Sequence, residues 1–350
     1  MLRELAFIRR LISRHRLDMS GLVVLTELAS GPYLFNPMVA ALSGADVVIA
    51  YGRDSEYGTF DSIAGEFRQR FGQVKESANV VITDDLDFAL GHDPDVVTNS
   101  GHLRPLDRSF LERLKGSAVV PLMWETWEFR PEELDLDAAK DLGILVLGTE
   151  EAHPLCDMRP YSALAALKLM IQHRILSFGT RVLVVGEQIT LGVPIHSALL
   201  GCGLNAGITN SQDLRKLLTS NDAQWDYVLV AEHGGSGVII GPSGQASPTQ
   251  LTEKGVSGVG VVSGKVDAPS LTEAGIEVLP SSLKDGLQMS FSPVELGPEA
   301  SLELFAAGLA VGTAMGRMRR DGADLIETVQ FAKANSPAMD FQGAAAWVQL

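Results

Sequence analysis

Side chains able to bind a polar ligand follow four apolar runs in the first part of the chain. The runs cover Leu22–Leu28, Asp46–Tyr51, Asp95–Thr98 and Ala118–Met123, and each is predicted to form a strand. In open parallel sheets, ligands bind beyond the carboxyl ends of the strands, so residues at these ends are expected to lie together. The candidate ligand-binding residues are Glu27, Tyr33, Arg53, Asn99, His102, Arg104, Trp124, Trp127 and Arg130.

This set combines aromatic rings, arginines, a carboxylate and a histidine. Such a mixture suits a polar ligand with a flat or apolar part, and its arginines favour an acidic ligand or peptide. The alternative is a domain-closure seam in which the same residues contact only one another. In that case Asn99 caps a turn, Arg53 pairs with nearby carboxylates, and the two tryptophans cover the core.

A second candidate site is the turn after the predicted strand Arg181–Val185. Gly186 and Gly192 take the places of the first and third glycines of a dinucleotide-binding turn, but the middle glycine is missing. The next predicted strand ends at Thr209 and Asn210, so it carries no carboxylate for a ribose. We therefore expect nicotinamide binding to be weak or absent, and a simple strand–helix turn is the alternative.

Three segments resemble the D-2-hydroxyacid dehydrogenases in content and in order. They are Leu134–Val146, Gly258–Asp267 and Ser292–Gly297, and the resemblance covers about residues 120–318. It implies two α/β domains, a nicotinamide cofactor and dimerisation. The family's substrate-binding arginine falls on Ser263 and its catalytic histidine on Val294.

The family's paired glutamate has no counterpart either, because residues 278–290 contain no Glu. Hydride transfer to a carbonyl needs a general acid and an anchor for the substrate carboxylate. We therefore predict a catalytically silent or weakly active binding protein without catalytic residues, metal or cofactor. The alternative is an NAD- or NADP-dependent oxidoreductase with a relocated acid, for which Lys265 and His233 are the substitutes. A third possibility is an enzyme of another chemistry that uses the strand-end residues.

Composition limits the partners. The chain has 350 residues, of which 46% are hydrophobic. Its net charge of −15 disfavours the binding of nucleic acid. Cys156 and Cys202 show no metal-binding spacing, so reduced thiols in the cytoplasm are expected. No apolar run is long enough to span a membrane, and residues 1–18 are predicted to form an amphipathic helix. The expected partner is a peptide, a protein or a small polar ligand.

The order of the apolar runs predicts the fold class: α/β, with two doubly wound parallel-sheet domains joined by a long linker helix. We expect a flavodoxin-like domain over residues 1–150, the linker over 151–178 and a Rossmann-like domain over 179–290. Residues 231–247 are predicted to be a loop. The C-terminal helices, within 291–350, are expected to return to the first domain, and residues 321–350 to be helical. The helix Leu302–Met318 offers small residues for a homodimer or a stable partner complex, or for packing within one chain.

Overall fold

The computed structural model describes residues 2–175, 177, 179–220, 224–235, 237–284 and 288–348. It divides the chain into two compact units, which are described separately. Unit 1 contains Met1–Asp157 together with Pro298–Leu350, and unit 2 contains Met158–Gly297.

Unit 1 begins with strands and helices that alternate along the chain. Its strands are β1 (Val23–Glu27), β2 (Val47–Tyr51), β3 (Val80–Thr83), β4 (Val96–Val97), β5 (Val119–Pro121) and β6 (Leu145–Thr149). Its helices are α1 (Leu2–His15), α2 (Asn36–Leu42), α3 (Phe60–Phe71), α4 (Leu86–Leu90), α5 (Arg108–Leu111) and α6 (Leu136–Leu142). These strands are parallel and lie in the order 3-2-1-4-5-6, so the strand order reverses between β1 and β4.

Unit 2 repeats this alternation around a smaller parallel sheet. Its helices are α7 (Arg159–Gln172), α8 (Gly192–Gly201), α9 (Ser211–Thr219), α10 (Pro248–Glu253) and α11 (Ala268–Glu273). Its strands are β7 (Arg181–Val185), β8 (Asn205–Thr209), β9 (Tyr227–Ala231), β10 (Val238–Ile240), β11 (Gly258–Ser263), β12 (Lys265–Val266) and β13 (Glu277–Leu279). The main sheet has the order β13-β11-β9-β7-β8, and β10 pairs with β12 separately.

The C-terminal part of the chain completes unit 1. It forms α12 (Glu299–Arg320), α13 (Leu325–Asn335) and β14 (Ala338–Met339), and β14 pairs antiparallel with β6. No helix in the described part of the chain, α12 included, is both long enough and apolar enough to cross a membrane.

Both faces of the unit 1 sheet are covered. Neighbouring residues of each strand point to opposite faces. Val24 and Val96 pack on the face covered by α1, α2, α3 and α12, whereas Leu25 and Val97 pack on the opposite face. The N-terminal helix is amphipathic as predicted, with Leu5, Ile8 and Leu11 buried in the first of these layers. Coverage on both sides explains why the strands are continuous apolar runs.

The prediction of two doubly wound parallel sheets is confirmed. Each unit, however, has the strand order that was expected for the other domain. The classical 3-2-1-4-5-6 order lies in unit 1, and the flavodoxin-like order, equivalent to 2-1-3-4-5, lies in unit 2. The labels were wrong because an apolar run shows that a strand is buried but not which strands are its neighbours.

Two local predictions were also wrong. Residues 231–247 contain the strand β10, and the tail after residue 320 contains the strand β14 besides α13 and a short 3-10 turn at Gly343–Ala345. Strands of two or three residues are too short to show a period in the sequence.

The small residues of α12 pack within unit 1. A Cβ at Gly308 would overlap the Met123 sulfur, and a Cβ at Gly312 would lie 2.8 Å from Val96 and 2.9 Å from Pro121. Packing within one chain, the second of the two interpretations of this helix, therefore accounts for its glycines.

Candidate functional site

The carboxyl ends of the unit 1 strands bring a buried carboxylate to a histidine. Glu27, the last residue of β1, is only 3% exposed. Its Oε2 accepts a hydrogen bond from the backbone N–H of His102 at 3.1 Å. Burial raises the pKa of Glu27, although this hydrogen bond and the charge of Arg104 oppose the shift.

The imidazole of His102 is oriented by the end of the neighbouring strand β2. The backbone N–H of Arg53 donates to His102 Nδ1 at 3.2 Å, so the neutral ring carries its proton on Nε2. Burial lowers the pKa of His102, and the Arg53 charge lowers it further. His102 therefore presents a neutral hydrogen-bond donor at neutral pH.

Arg104 is fixed by contacts on several sides. Its Nε donates to Asn99 Oδ1 and its Nη2 to the Asn99 carbonyl, each at 2.9 Å. Its Nη1 pairs with Glu133 at 3.0 Å, and its guanidinium lies 4.2 Å from the centre of the Trp124 ring. Burial lowers the pKa of Arg104. The pKa of Tyr33 is raised by burial and by the charge of Glu27, and the charge of Arg104 opposes this shift.

The remaining two predicted residues lie beside this group. Arg130 pairs with Glu133 at 3.1 Å, so Arg104 and Arg130 share one carboxylate. Trp127 is 60% exposed, and its Nε1 donates to Glu125. The structure thus connects eight of the nine residues through contacts or charges and places Trp127 on the adjacent Glu125. We call the nine residues the rim: Glu27, Tyr33, Arg53, Asn99, His102, Arg104, Trp124, Trp127 and Arg130.

Three carboxylates next to the rim are not among the nine candidate residues. Glu125 accepts from the backbone N–H of Glu151 at 3.2 Å. Burial and the charge of Glu125 raise the pKa of Glu128 to about 7, against the opposing charge of Arg130. Burial and the charges of Glu128 and Glu125 raise the pKa of Glu151 to about 8. Glu125 and Glu128 follow β5 and Glu151 follows β6, so the strand-end rule that identified Trp124 covers them as well.

In unit 2, the turn after β7 is closed by its own backbone. Gly186 has φ +134°, and a Cβ there would overlap the Ala231 carbonyl. A Cβ at Gly192 would overlap the Gly186 carbonyl. Both glycines are therefore required by the packing of the turn, whatever it binds.

The side chain of Gln188 crosses the carboxyl ends of β7 and β9. Its Nε2 donates to the His233 carbonyl at 2.7 Å, and its Oε1 accepts from the His233 N–H at 2.8 Å. Two carboxylates lie beside this bridge. Glu187 accepts from Asn210 Nδ2 at 3.1 Å, and Glu232 accepts from the Ser211 backbone N–H at 3.0 Å and from its hydroxyl at 2.7 Å. Their negative charges oppose a pyrophosphate at this turn.

Different residue types occupy the positions of the substrate-binding and catalytic residues of the family that the sequence resembles. Ser263 is fully buried, and its hydroxyl lies 2.9 Å from His233 Nδ1. Val294 is 45% exposed and cannot transfer a proton. Residues 285–287, part of the stretch searched for a glutamate, lie outside the described residues. Within the described residues, no group of three or more His, Cys, Asp or Glu side chains is arranged to hold a metal ion.

The chain is similar in structure to a dipicolinate synthase subunit from Bacillus halodurans. The TM-score is 0.53 at 13% sequence identity, and the match covers 83% of this chain and 97% of the other. A putative D-3-phosphoglycerate dehydrogenase from Ralstonia solanacearum matches with a TM-score of 0.38 at 14% identity, covering 83% and 92% of the two chains.

The NAD+-bound 3-phosphoglycerate dehydrogenase of Entamoeba histolytica gives a TM-score of 0.41 at 11% identity and covers 87% of this chain and 97% of its own. No family model matches the sequence, and no curated protein matches it. The likeness is one of fold, and it rests on the match to the dipicolinate synthase subunit.

Proposed function

We propose that this chain is a binding protein of the dehydrogenase fold, which holds a small carboxylate-bearing ligand or an acidic peptide at the rim. The observation that carries the proposal is the fixed position of Arg104. Three of its five N–H donors are used by Asn99 and Glu133, and its face is supported by Trp124. A guanidinium held in this way presents its other donors to a ligand without losing side-chain entropy.

The charge of the rim supports an acidic ligand. The three arginines of the rim lie near five carboxylates, those of Glu27, Glu125, Glu128, Glu133 and Glu151. Burial favours the neutral form of Glu27, Glu128 and Glu151. The rim therefore has a positive balance within a chain of net charge −15. The neutral His102 and the Tyr33 hydroxyl add donors suited to a carboxylate.

The absence of the family's reacting groups argues for binding over hydride transfer. A serine and a valine stand where an arginine and a histidine are expected, at Ser263 and Val294. Of the two proposed substitutes, His233 is bonded to Ser263 and its backbone to Gln188. The Gln188 side chain, held across the strand ends by two hydrogen bonds to the His233 backbone, supports weak or absent nicotinamide binding.

The second candidate function is an NAD(P)-dependent oxidoreductase with a relocated acid. It is favoured by the turn itself, which leads from the buried strand β7 to the first residue of α8 at Gly192. Free N–H groups at the start of a helix attract phosphate.

Binding at the rim is tested with a panel of small carboxylates and an acidic peptide, titrated into the full-length protein by calorimetry. For the tightest member, Arg104→Ala is expected to lower the affinity by roughly 1–3 kcal/mol, or about 5–150-fold. Arg108→Ala is the matched control, because Arg108 is an exposed arginine of the same unit that pairs with Asp141 at 2.7 Å. Equal affinity of both variants and the parent, or no binding by any probe, would contradict the rim as a binding site.

Trp127→Ala is the second variant for the same titration. We expect a loss of roughly 1–3 kcal/mol if this exposed ring contacts the ligand. Tyr57→Ala removes another exposed aromatic side chain of unit 1 and serves as its control. If the Trp127 and Tyr57 variants bind alike, Trp127 does not belong to the binding surface.

The two candidate functions are separated by titration with NADH and NADPH. We expect no saturable binding below the millimolar range, since Gln188, Glu187 and Glu232 surround the turn. Micromolar binding of either nucleotide, or cofactor carried through purification, would favour the oxidoreductase.

A further inference from the structure

Unit 1 contains a cavity that is separate from the rim. Its volume is about 530 Å³, and it lies where α1 ends against α12, α13 and the segment after β6. Arg14, Arg16, Arg317, His15 and His153 contribute to its wall, and none of the described residues that line it is Asp or Glu. Leu17, Leu155 and Phe331 are among the apolar residues of the wall.

The carboxylates that neutralise two of these arginines do not line the cavity. Arg14 pairs with the buried Glu303, and Arg317 pairs with Asp18 at 2.8 Å. Arg16 has no ion pair among the described residues. The cavity wall therefore presents arginines, while the negative charges lie outside it.

Arg16 stands where a helix ordinarily ends in glycine. Its φ is +51°, and the next residue, Leu17, donates its N–H to the Ile12 carbonyl at 3.0 Å, which closes the last turn of α1. A positive φ is not by itself a sign of function, because Arg174 has φ +56° just after α7. What differs is the position: the Arg16 side chain belongs to a cavity wall.

The buried ring of His15 lies in the wall of the cavity, and its pKa depends on the charges around it. Neither ring nitrogen has a hydrogen-bond partner among the described residues, and Nε2 lies 4.0 Å from Glu303 Oε1. Burial, together with the charges of Arg14 and His153, lowers the pKa of His15 to about 4. Burial disfavours any charge on this ring, and the two neighbouring cations disfavour a further positive charge in particular.

We propose that this cavity binds a small anion that carries an apolar group, such as an aryl phosphate. Cations at helix C-termini are common and explain the presence of arginines at the ends of α1 and α12. They do not explain why Arg14, Arg16 and Arg317 meet at one cavity. Its wall also contains the apolar side chains of Leu17, Leu155 and Phe331. This site shares no residue with the rim, so it does not depend on the function proposed above.

The probe is phenyl phosphate, titrated into the full-length protein, with inorganic phosphate and phenol as the separate halves of the molecule. We expect phenyl phosphate to bind more tightly than either half. Arg16→Gly removes the charge and suits the backbone conformation, so the fold is preserved while affinity falls about tenfold. Arg174→Gly is the matched control, with the same change at a similar φ in unit 2, and is expected to bind like the parent.

A second readout locates the anion. Saturating phenyl phosphate is expected to raise the pKa of the His15 ring, followed by NMR, because a nearby negative charge favours the imidazolium. Arg104→Ala is expected to leave phenyl phosphate binding unchanged, which separates this cavity from the rim. Equal affinity of Arg16→Gly, Arg174→Gly and the parent, absence of saturable binding, or an unchanged His15 pKa would each overturn the proposal.

Discussion

The carboxyl group of Glu151 is held in surroundings that disfavour its charge. Burial, together with the charges of Glu128 and Glu125, raises its pKa from 4.5 to about 8. Because the folded state holds the proton more tightly than the unfolded state, this group stabilises the fold below about pH 4.5. The stabilisation is lost as pH rises towards 8.

Replacing Glu151 by Gln removes the charge and retains the shape. We expect the parent to lose stability between about pH 4.5 and pH 8, and Glu151→Gln to lose less. One pKa unit corresponds to about 1.4 kcal/mol, so the variant should gain on the order of 2 kcal/mol at pH 8.5, allowing for coupling to Glu128. Urea unfolding at several pH values measures this difference. The exposed Glu132→Gln is the control, and equal pH profiles for the two variants would contradict the assignment.

The turn between β7 and α8 shows what an element demands of its residues. Gly192 lies against the Gly186 carbonyl, so an alanine there would force the backbone apart. We expect Gly192→Ala to destabilise the protein by about 1–3 kcal/mol in thermal or urea unfolding. Gly201→Ala lies in the same helix, where a Cβ meets nothing within 4 Å, and should be neutral or slightly stabilising. Equal unfolding midpoints for the two variants would show that the turn accommodates a side chain.

Long apolar elements could be predicted from the sequence, and side-chain contacts between distant residues could not. The strands Val23–Glu27 and Arg181–Val185 could be predicted, because strands that are buried on both faces are continuous apolar runs. The rim residues could be grouped because parallel strands end at one edge. The pairing of Gln188 with His233 has no local signal, since 45 residues separate them. The same holds for Glu128 and Glu151, whose shared surroundings arise only when β5 and β6 pair.

At the scale of the whole molecule, the oligomeric state remains a proposal. We propose a homodimer or a stable partner complex, on the resemblance to the dehydrogenase family alone, since the glycines of α12 pack inside unit 1. Light scattering at tens of micromolar is expected to give twice the monomer mass of 37.5 kDa. A mass of one chain, with no partner recovered, would contradict the proposal.

Unit 1 depends on two segments that are far apart in the sequence. Leu309, Val311 and Met315 of α12 are fully buried in the layer that contains Val96 and Val119. Each such side chain contributes about 1.5–3 kcal/mol on burial, and domains are stable by only about 5–15 kcal/mol. A chain that ends at residue 297 would therefore uncover the part of this face that α12 covers, over β4, β5 and β6.

We expect this truncated chain to lose hydrogen-exchange protection in peptides that contain β1 and β4. Protection should return when residues 298–350 are supplied as a separate fragment, because the same apolar surfaces are buried again. The fragment with Gly312→Leu is the control, since Gly312 lies against Val96 and Pro121, and it should fail to restore protection. Protection of β1 and β4 without any fragment would show that the first 157 residues form a stable sheet alone. In that case the C-terminal helices would not be required for the stability of the sheet.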